Sequence, residues 1–402
     1  MKFHLFRTQL GLNVRISKSA TLILALIALG GCASTDDDAA PEWAGVKNED
    51  APAKLVDFTE TAKFEVRWES HVGNSGANQL HPVVTENAVY AVSARGGLSS
   101  LDRNTGKLSW RIESGINVSG GIGGGDGLLI IGGSKGEVLA YDESGKQIWK
   151  AIVSSEALSV SQSFEGIVLV RSGDGRITGL NVTDGTRAWL FERSTPALVV
   201  RSHAGAAIYR GVAFVGFAGG RLAAIKVKNG EVLWETAVSQ ARGNTELERI
   251  SDITASPVVD DEQVCAIAFQ GRMACYDLTQ GGPLWNRDIS SDKGMKLLRR
   301  YLYLTDAKSS VIEMDKATGN TVWKNDQLFM RGVSTPYVTD DFVVVGDRKG
   351  YLHGLSREDG SLMARIDLED GAISATMLQL DDGILVQTSS GGVYSLSINR
   401  RK

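Results

Sequence analysis

The sequence predicts an all-β fold: an eight-bladed β-propeller of four-stranded blades, its ring closed by an N-terminal strand that joins the C-terminal blade. Three observations predict it. A unit reading G-x-ϕ-x-x-ϕ-D-x-x-x-G-x-x-x-W, with ϕ apolar, recurs along the chain. From Trp68 onward, tryptophans fall at steps of 38 to 51 residues. The 46 glycines, against only 7 prolines in 402 residues, and the lack of any long helical pattern suit many short strands joined by tight turns.

The first clear copy of the unit is GGLSSLDRNTGKLSW, ending at Trp110. GEVLAYDESGKQIW, GRITGLNVTDGTRAW, GRLAAIKVKNGEVLW, GRMACYDLTQGGPLW and SSVIEMDKATGNTVW follow, ending at Trp149, Trp189, Trp234, Trp285 and Trp323. Each of these tryptophans has a glycine four residues before it: Gly106, Gly145, Gly185, Gly230, Gly281 and Gly319. A seventh copy keeps Gly360 but has Ala364 where tryptophan is expected, and an eighth ends at the C-terminus before its tryptophan strand. The missing strand stands near the other end, in KFEVRWES with Trp68. In the D-x-x-x-G segment, Asp or Asn bonds nearby backbone amides and Gly supplies a positive φ, so the segment is a turn. The tryptophan after it packs between neighbouring sheets, burying on the order of 200 Å². Residues 254–288 show a whole unit as four strands, ASPVVD, QVCAIAF, RMACYDL and PLWNRDI. Units of about 40 residues with four strands are propeller blades. A solenoid would leave two open ends, whereas a blade shared by both chain ends closes a ring and protects its edges.

The N-terminus sets the expected compartment. Lys2, Arg7, Arg15 and Lys18 precede the ten-residue run ATLILALIAL, too short to span a bilayer and right for a signal peptide. Leu29-Gly30-Gly31-Cys32 resembles the bacterial lipobox, in which Cys32 receives lipid, palmitate among the chains expected. Residues 1–31 are thus read as a lipoprotein signal peptide, 32–60 as an acylated N-terminus and flexible tether, and 61–402 as the propeller. Ala33, not Asp, follows the cysteine, so the expected site is the periplasmic side of the outer membrane, lipid-anchored. Removing residues 1–31 takes away four cations and no anion, and the formal net charge of −4 becomes −8. So acidic a domain repels phosphate backbones, which argues against a nucleic-acid partner.

No catalytic set is legible. Gly132-Gly-Ser-Lys-Gly136 matches the G-x-S-x-G pattern of hydrolases, which needs a strand, a sharp turn and then a helix. Here it joins two strands, GLLIIGG and EVLAYD, and reads as a hairpin turn. The five histidines are scattered without metal-ligand spacing. Neither a metal site nor a cofactor is expected. Cys265 and Cys275 flank a three-residue turn that places them opposite one another. A cross-strand disulfide and a pair of buried thiols both fit that spacing.

Two tryptophan steps, 45 and 51, exceed the rest and mark insertions at residues 194–212 and 237–253. A propeller without catalytic residues is usually a binding platform, and loops of this kind present its surfaces.

The repeat A-x-D-x-x-T-G-x-x-x-W resembles the tryptophan-docking motif of the quinoprotein (PQQ-type) propellers. Within that superfamily the mature chain resembles the BamB family, propeller lipoproteins of the outer-membrane β-barrel assembly (BAM) machine. Three stretches carry the resemblance: PAKLVDFTETAKFEVRW, Pro196-Ala-Leu-Val-Val-Arg-Ser-His, and Gly243-Asn-Thr-Glu-Leu-Glu-Arg-Ile-Ser-Asp-Ile. The last two lie in the insertions. The resemblance implies a scaffold without enzymatic activity that binds the POTRA domains of BamA, meets other BAM subunits through BamA and assists unfolded outer-membrane clients. Carried over by position, the implied partner-binding residues are Leu198 and Val200 as apolar anchors, with Arg201 and Asp252. Arg201 is expected either to pair with a partner carboxylate or to hold Asp252 and shape the loop. The family's second acid, two residues after Asp252, is Thr254 here, which puts any salt bridge from that acid in doubt. Two other readings stand beside this one. One is an envelope adaptor for a different periplasmic partner. The other is a PQQ-dependent dehydrogenase, which would need a calcium site of Glu, Asn and Asp around its cofactor.

Overall fold

The computed structural model describes residues 51–401. The signal peptide, Cys32 and most of the expected tether lie outside the described residues. All regular structure among the described residues is strand, in eight sheets of four. Blades 1 to 7 span residues 83–113, 118–152, 157–191, 207–237, 258–287, 295–325 and 337–367, each a meander of four consecutive strands. Blade 8 takes three strands from residues 378–400 and its fourth from Ala62–His71, which pairs antiparallel with Gly392–Arg400. The predicted ring closure is therefore the observed one. In blade 5 the four strands foreseen from the sequence are Val258–Val259, Gln263–Ile267, Met273–Asp277 and Pro283–Arg287. First strands of successive blades meet around the axis, as those of blades 4, 5, 6 and 7 do. Second and third strands are almost wholly buried, and the core lies between blades. Phe214, Leu222 and Trp234 of blade 4, for example, pack on Val264, Ala266 and Tyr276 of blade 5.

The repeat signature is the device that joins blades. Each tryptophan of the pattern donates its indole N–H to a backbone carbonyl in the D-x-x-x-G turn of the following blade. Trp68 bonds Arg103 O at 3.1 Å, Trp110 bonds Glu143 O at 3.1 Å and Trp149 bonds Val182 O at 2.7 Å. Trp189, Trp234, Trp285 and Trp323 reach Val227, Leu278, Lys316 and Arg357 in the same way. The ring then lies flat on the glycine of that turn. Gly185 has φ +73°, and a Cβ there would stand 2.5 Å from the Trp149 ring, so both the backbone and the close approach require glycine. The Asp side chain completes the turn: Asp102 Oδ1 accepts the amides of Asn104 and Thr105 and the Thr105 hydroxyl.

Ala364 now has a reason. The blade that follows it is blade 8, whose third and fourth strands are the two ends of the chain, with no turn between them to receive a tryptophan. The space is filled by Phe64 and Ile398, which pack against Ala364 and Gly354.

One further feature differs from the sequence reading, and one alternative that it left open is decided. The segment expected as the end of a flexible tether is fixed on the ring from Ala53 onward. The Ala53 amide donates to Phe329 O at 2.9 Å, and Val56 and Phe58 pack against the core between blades 6 and 7. Arg331 Nη1 donates to Ala53 O at 3.0 Å, Arg365 Nη1 donates to Val56 O at 3.1 Å, and the Arg365 guanidinium lies 4.9 Å over the Phe58 ring. Both arginines belong to a buried network around Asp347. Burial opposes the charge on Asp347, but His353 and Arg331 bonded to it hold its carboxyl below the ordinary range. Two apolar side chains in a polar stretch were hidden by the composition of the whole segment. Cys265 and Cys275 lie directly opposite each other in register in blade 5 and form a disulfide, with Cα atoms 4.1 Å apart.

Glu313 is an acid in a core position, 3 % exposed and opposite Trp323 in register. Burial raises its pKa above the ordinary carboxyl value. A raised folded-state pKa means the native protein holds the proton more tightly than the unfolded chain. Stability from this group is therefore lost as pH rises from the ordinary carboxyl range through the raised value. Glu313→Gln is expected to be more stable than the parent at neutral pH, the difference shrinking toward about pH 4. Urea unfolding of both proteins from acid to neutral pH checks this.

Candidate functional site

The two insertions predicted from the tryptophan steps come together. The connection between blades 3 and 4 runs over residues 192–206 and that between blades 4 and 5 over 238–257, and side chains zip one to the other. Asp252 Oδ2 accepts the Val200 amide at 2.7 Å, and its Oδ1 accepts the Gly219 amide at 2.9 Å. Ser202 Oγ donates to Thr254 O at 3.1 Å, and the Gly205 amide donates to Ser256 Oγ at 2.8 Å. Asp252 is only 3 % exposed. Its carboxylate holds the backbone of the first insertion in shape.

Arg201 does not hold Asp252, which corrects one of the two roles expected for it. Its guanidinium grips Glu156, which stands before the first strand of blade 3, in a two-point bond: Nη2 donates to Oε1 at 2.8 Å and Nε to Oε2 at 3.2 Å. Nη2 also donates to Asn78 Oδ1 at 2.8 Å, and Nη1 lies 2.8 Å from His203 Nε2. His203 Nδ1 faces Leu158 O at 3.1 Å. A neutral His203 satisfies both contacts, donating from Nδ1 and accepting from Arg201 at Nε2. Burial, and then the Arg201 charge, lower the His203 pKa accordingly. The Arg201 bond in turn holds the Glu156 carboxyl below its usual range. Blade 3, the first insertion and the loop before blade 1 are thereby tied at one exposed point.

The two insertions also expose apolar side chains. Leu198 is 48 % exposed and its neighbour Val199 is exposed as well, while Val200 is half-buried. In the second insertion Thr245 and Glu248 form a small capping arrangement. Glu248 Oε2 accepts the amides of Asn244 and Thr245, and Thr245 Oγ1 accepts the Glu248 amide. That turn lifts Leu247 into solvent at 66 % exposure. Below the first insertion lies a cleft of about 320 Å³ lined by Glu156, Arg171, Val199, Val200, Phe217 and Asp252, among others. Glu156, Asn78, Val199 and Arg171 were not foreseen as part of the site. Glu156, Asn78 and Arg171 sit in ordinary repeat or loop positions, and only the ring brings them to the insertions, whereas Val199 lies in the first insertion itself. Leu247 did carry a signal, as a lone large apolar residue in the polar run from Arg242 to Arg249.

The family model described as "Outer membrane protein assembly factor BamB" matches residues 94–325. The chain belongs to the BamB family. It is 39 % identical over 384 residues to the outer membrane protein assembly factor BamB of Nitrosomonas eutropha, covering 94 % of each chain. It is 34 % identical over 388 residues to that of Bordetella pertussis, covering 96 % of this chain and 98 % of the relative. The crystal structure of BamB from Moraxella catarrhalis superposes with a TM-score of 0.77 at 24 % identity, over 83 % of this chain and 99 % of that one. The fold is shared more widely. A quinohemoprotein alcohol dehydrogenase from Comamonas testosteroni matches with a TM-score of 0.67 at 12 % identity, over 83 % of this chain and 76 % of that one.

The last likeness concerns the fold alone, and the axial funnel of this BamB-family chain does not fit a calcium–quinone centre. Its polar lining includes Gln79, His81, His203, Thr254 and Lys293, and its one carboxylate, Asp292, is bonded by Lys293 at 2.8 Å. No three His, Cys, Asp or Glu side chains converge as a metal site among the described residues. The G-x-S-x-G stretch is the hairpin turn between Leu128–Gly133 and Glu137–Asp142.

Proposed function

We propose that this chain is a non-enzymatic scaffold subunit of the outer-membrane protein assembly complex, anchored by lipid on Cys32 at the periplasmic side of the outer membrane. It binds the POTRA domains of BamA through the face built by the two insertions and so assists the assembly and insertion of β-barrel proteins. The names of its relatives support the assembly role. The observation that supports the binding face is the union of the two insertions by hydrogen bonds. Leu198 and Val199 are exposed beside Arg201 in the first insertion, where Glu156 already pairs the arginine, and Leu247 is exposed on the second insertion. Apolar anchors ringed by satisfied polar groups are the usual anatomy of a binding surface.

The test is binding of the full-length chain in detergent to purified POTRA domains of BamA from the same source, compared with Leu198→Asp. The side chain of Leu198 is exposed, so the variant folds as the parent does. The parent binds, and the variant binds at least about tenfold more weakly, since a charge at the centre of an apolar contact is left without water or partner. Absence of binding by the parent overturns the reading and favours an envelope adaptor for another partner. Equal binding by the variant moves the contact elsewhere on the ring.

A further inference from the structure

Arg171 belongs to the second strand of blade 3, Ile167–Ser172, and is 8 % exposed. Its Nη2 donates to Gly216 O on blade 4, and its guanidinium lies 5.5 Å over the Phe217 ring. Its buried Nε has no acceptor among the described residues. No carboxylate among the described residues is paired with it. The three carboxylates that line the same cleft are each engaged elsewhere. Glu156 is held by Arg201, Asp174 by Arg176 at 2.6 Å, and Asp252 by the amides of Val200 and Gly219. An unpaired buried cation is costly, and proteins ordinarily supply it a counter-charge. Burial alone draws the Arg171 pKa down to about 10, which still leaves it charged at neutral pH.

We infer that the cleft under the first insertion receives an acidic side chain from a partner protein, and that Arg171 is the receptor for its carboxylate. The lining selects this class of ligand. Val199 and Phe217 offer an apolar wall to the methylene stem of a glutamate or aspartate. The three resident carboxylates repel a dianion such as phosphate more strongly than a single negative charge. Arg201, although more exposed, already has its carboxylate in Glu156, so the open anion position belongs to Arg171. The inference rests on the proposed partner face only for the identity of the protein that supplies the acid.

The test therefore has two arms. In the first, the full-length chain carries ¹⁵N-arginine, and the Nε–H resonance of Arg171 is assigned by its loss in Arg171→Lys. The peptide acetyl-Gly-Glu-Gly-amide is titrated at constant ionic strength against its Gln counterpart and against inorganic phosphate. The Glu peptide shifts that resonance and the Gln peptide does not. No shift, or a shift with phosphate alone, overturns the inference. In the second arm Arg171→Met is compared with the parent for binding to the POTRA domains. It binds at least about tenfold more weakly, with unchanged circular dichroism. Equal binding by this variant overturns the inference while leaving the family reading intact. If the parent does not bind POTRA domains at all, the peptide arm still decides whether Arg171 receives a carboxylate.

Discussion

Trp149→Ala is expected to lower the free energy of unfolding by about 3–5 kcal/mol. The side chain is 7 % exposed, and three losses coincide when it is removed. Its apolar area returns to water, a cavity opens between blades 2 and 3, and the Val182 carbonyl loses the indole donor now 2.7 Å away. The mirror experiment is sharper. Restoring the repeat by Ala364→Trp looks, from the sequence pattern alone, like a consensus repair. It is expected to destabilise by about 1–3 kcal/mol, the usual effect of overpacking. At that junction Phe64 and Ile398 occupy the space, and a Cβ on neighbouring Gly354 would already stand 2.5 Å from Ile398 Cδ1. Urea unfolding followed by intrinsic fluorescence measures both. A stabilised Ala364→Trp protein would show that the pattern, and not the closure of the ring, governs this position.

The contrast marks what the sequence could and could not disclose. The repeat is periodic because each blade repeats one local solution: a turn fixed by Asp and Gly, then a strand carrying Trp. Local solutions are legible in a chain, and so the blade count, the closure by Ala62–His71 and the positions of the two insertions were all readable. The docking partner of each tryptophan was not, since Trp149 meets Gly185 and Val182 only once adjacent blades stand side by side. The candidate site divides in the same way. The two long loops were visible in the tryptophan spacing, and the resemblance singled out Leu198, Val200, Arg201 and Asp252 within them. Glu156, Asn78 and Arg171 come from three different places in the chain and become neighbours only through the ring. Val56 and Phe58 were masked by the acidic, proline-bearing stretch in which they stand, although they are what fixes the start of the propeller.

Asp252→Ala is expected to disable the partner face without unfolding the ring. The carboxylate is the joint acceptor for the Val200 and Gly219 amides, and hydrogen bonds to a charged acceptor contribute about 1.5–3 kcal/mol each. Losing them frees residues 198–201 to sample other conformations, while the seven tryptophan docks stay intact, so the effect is local. Amide exchange at Val200 and Gly219 should accelerate by at least about tenfold, and binding to the POTRA domains should weaken by a similar factor. Unchanged exchange would show that Asp252 does not hold the loop. Accelerated exchange with undiminished binding would show that the loop is not the contact. A double variant separates this arrangement from the direct Arg201–Asp252 ion pair that the sequence leaves open. Partners in one salt bridge show strong coupling, and reversing both charges tends to restore the pair, whereas groups with separate partners add. In this structure Arg201 belongs to Glu156 and Asp252 to two backbone amides. Arg201→Glu combined with Asp252→Arg should therefore be no better than the worse single variant. Restoring function at Arg201→Glu should instead require a cation at position 156.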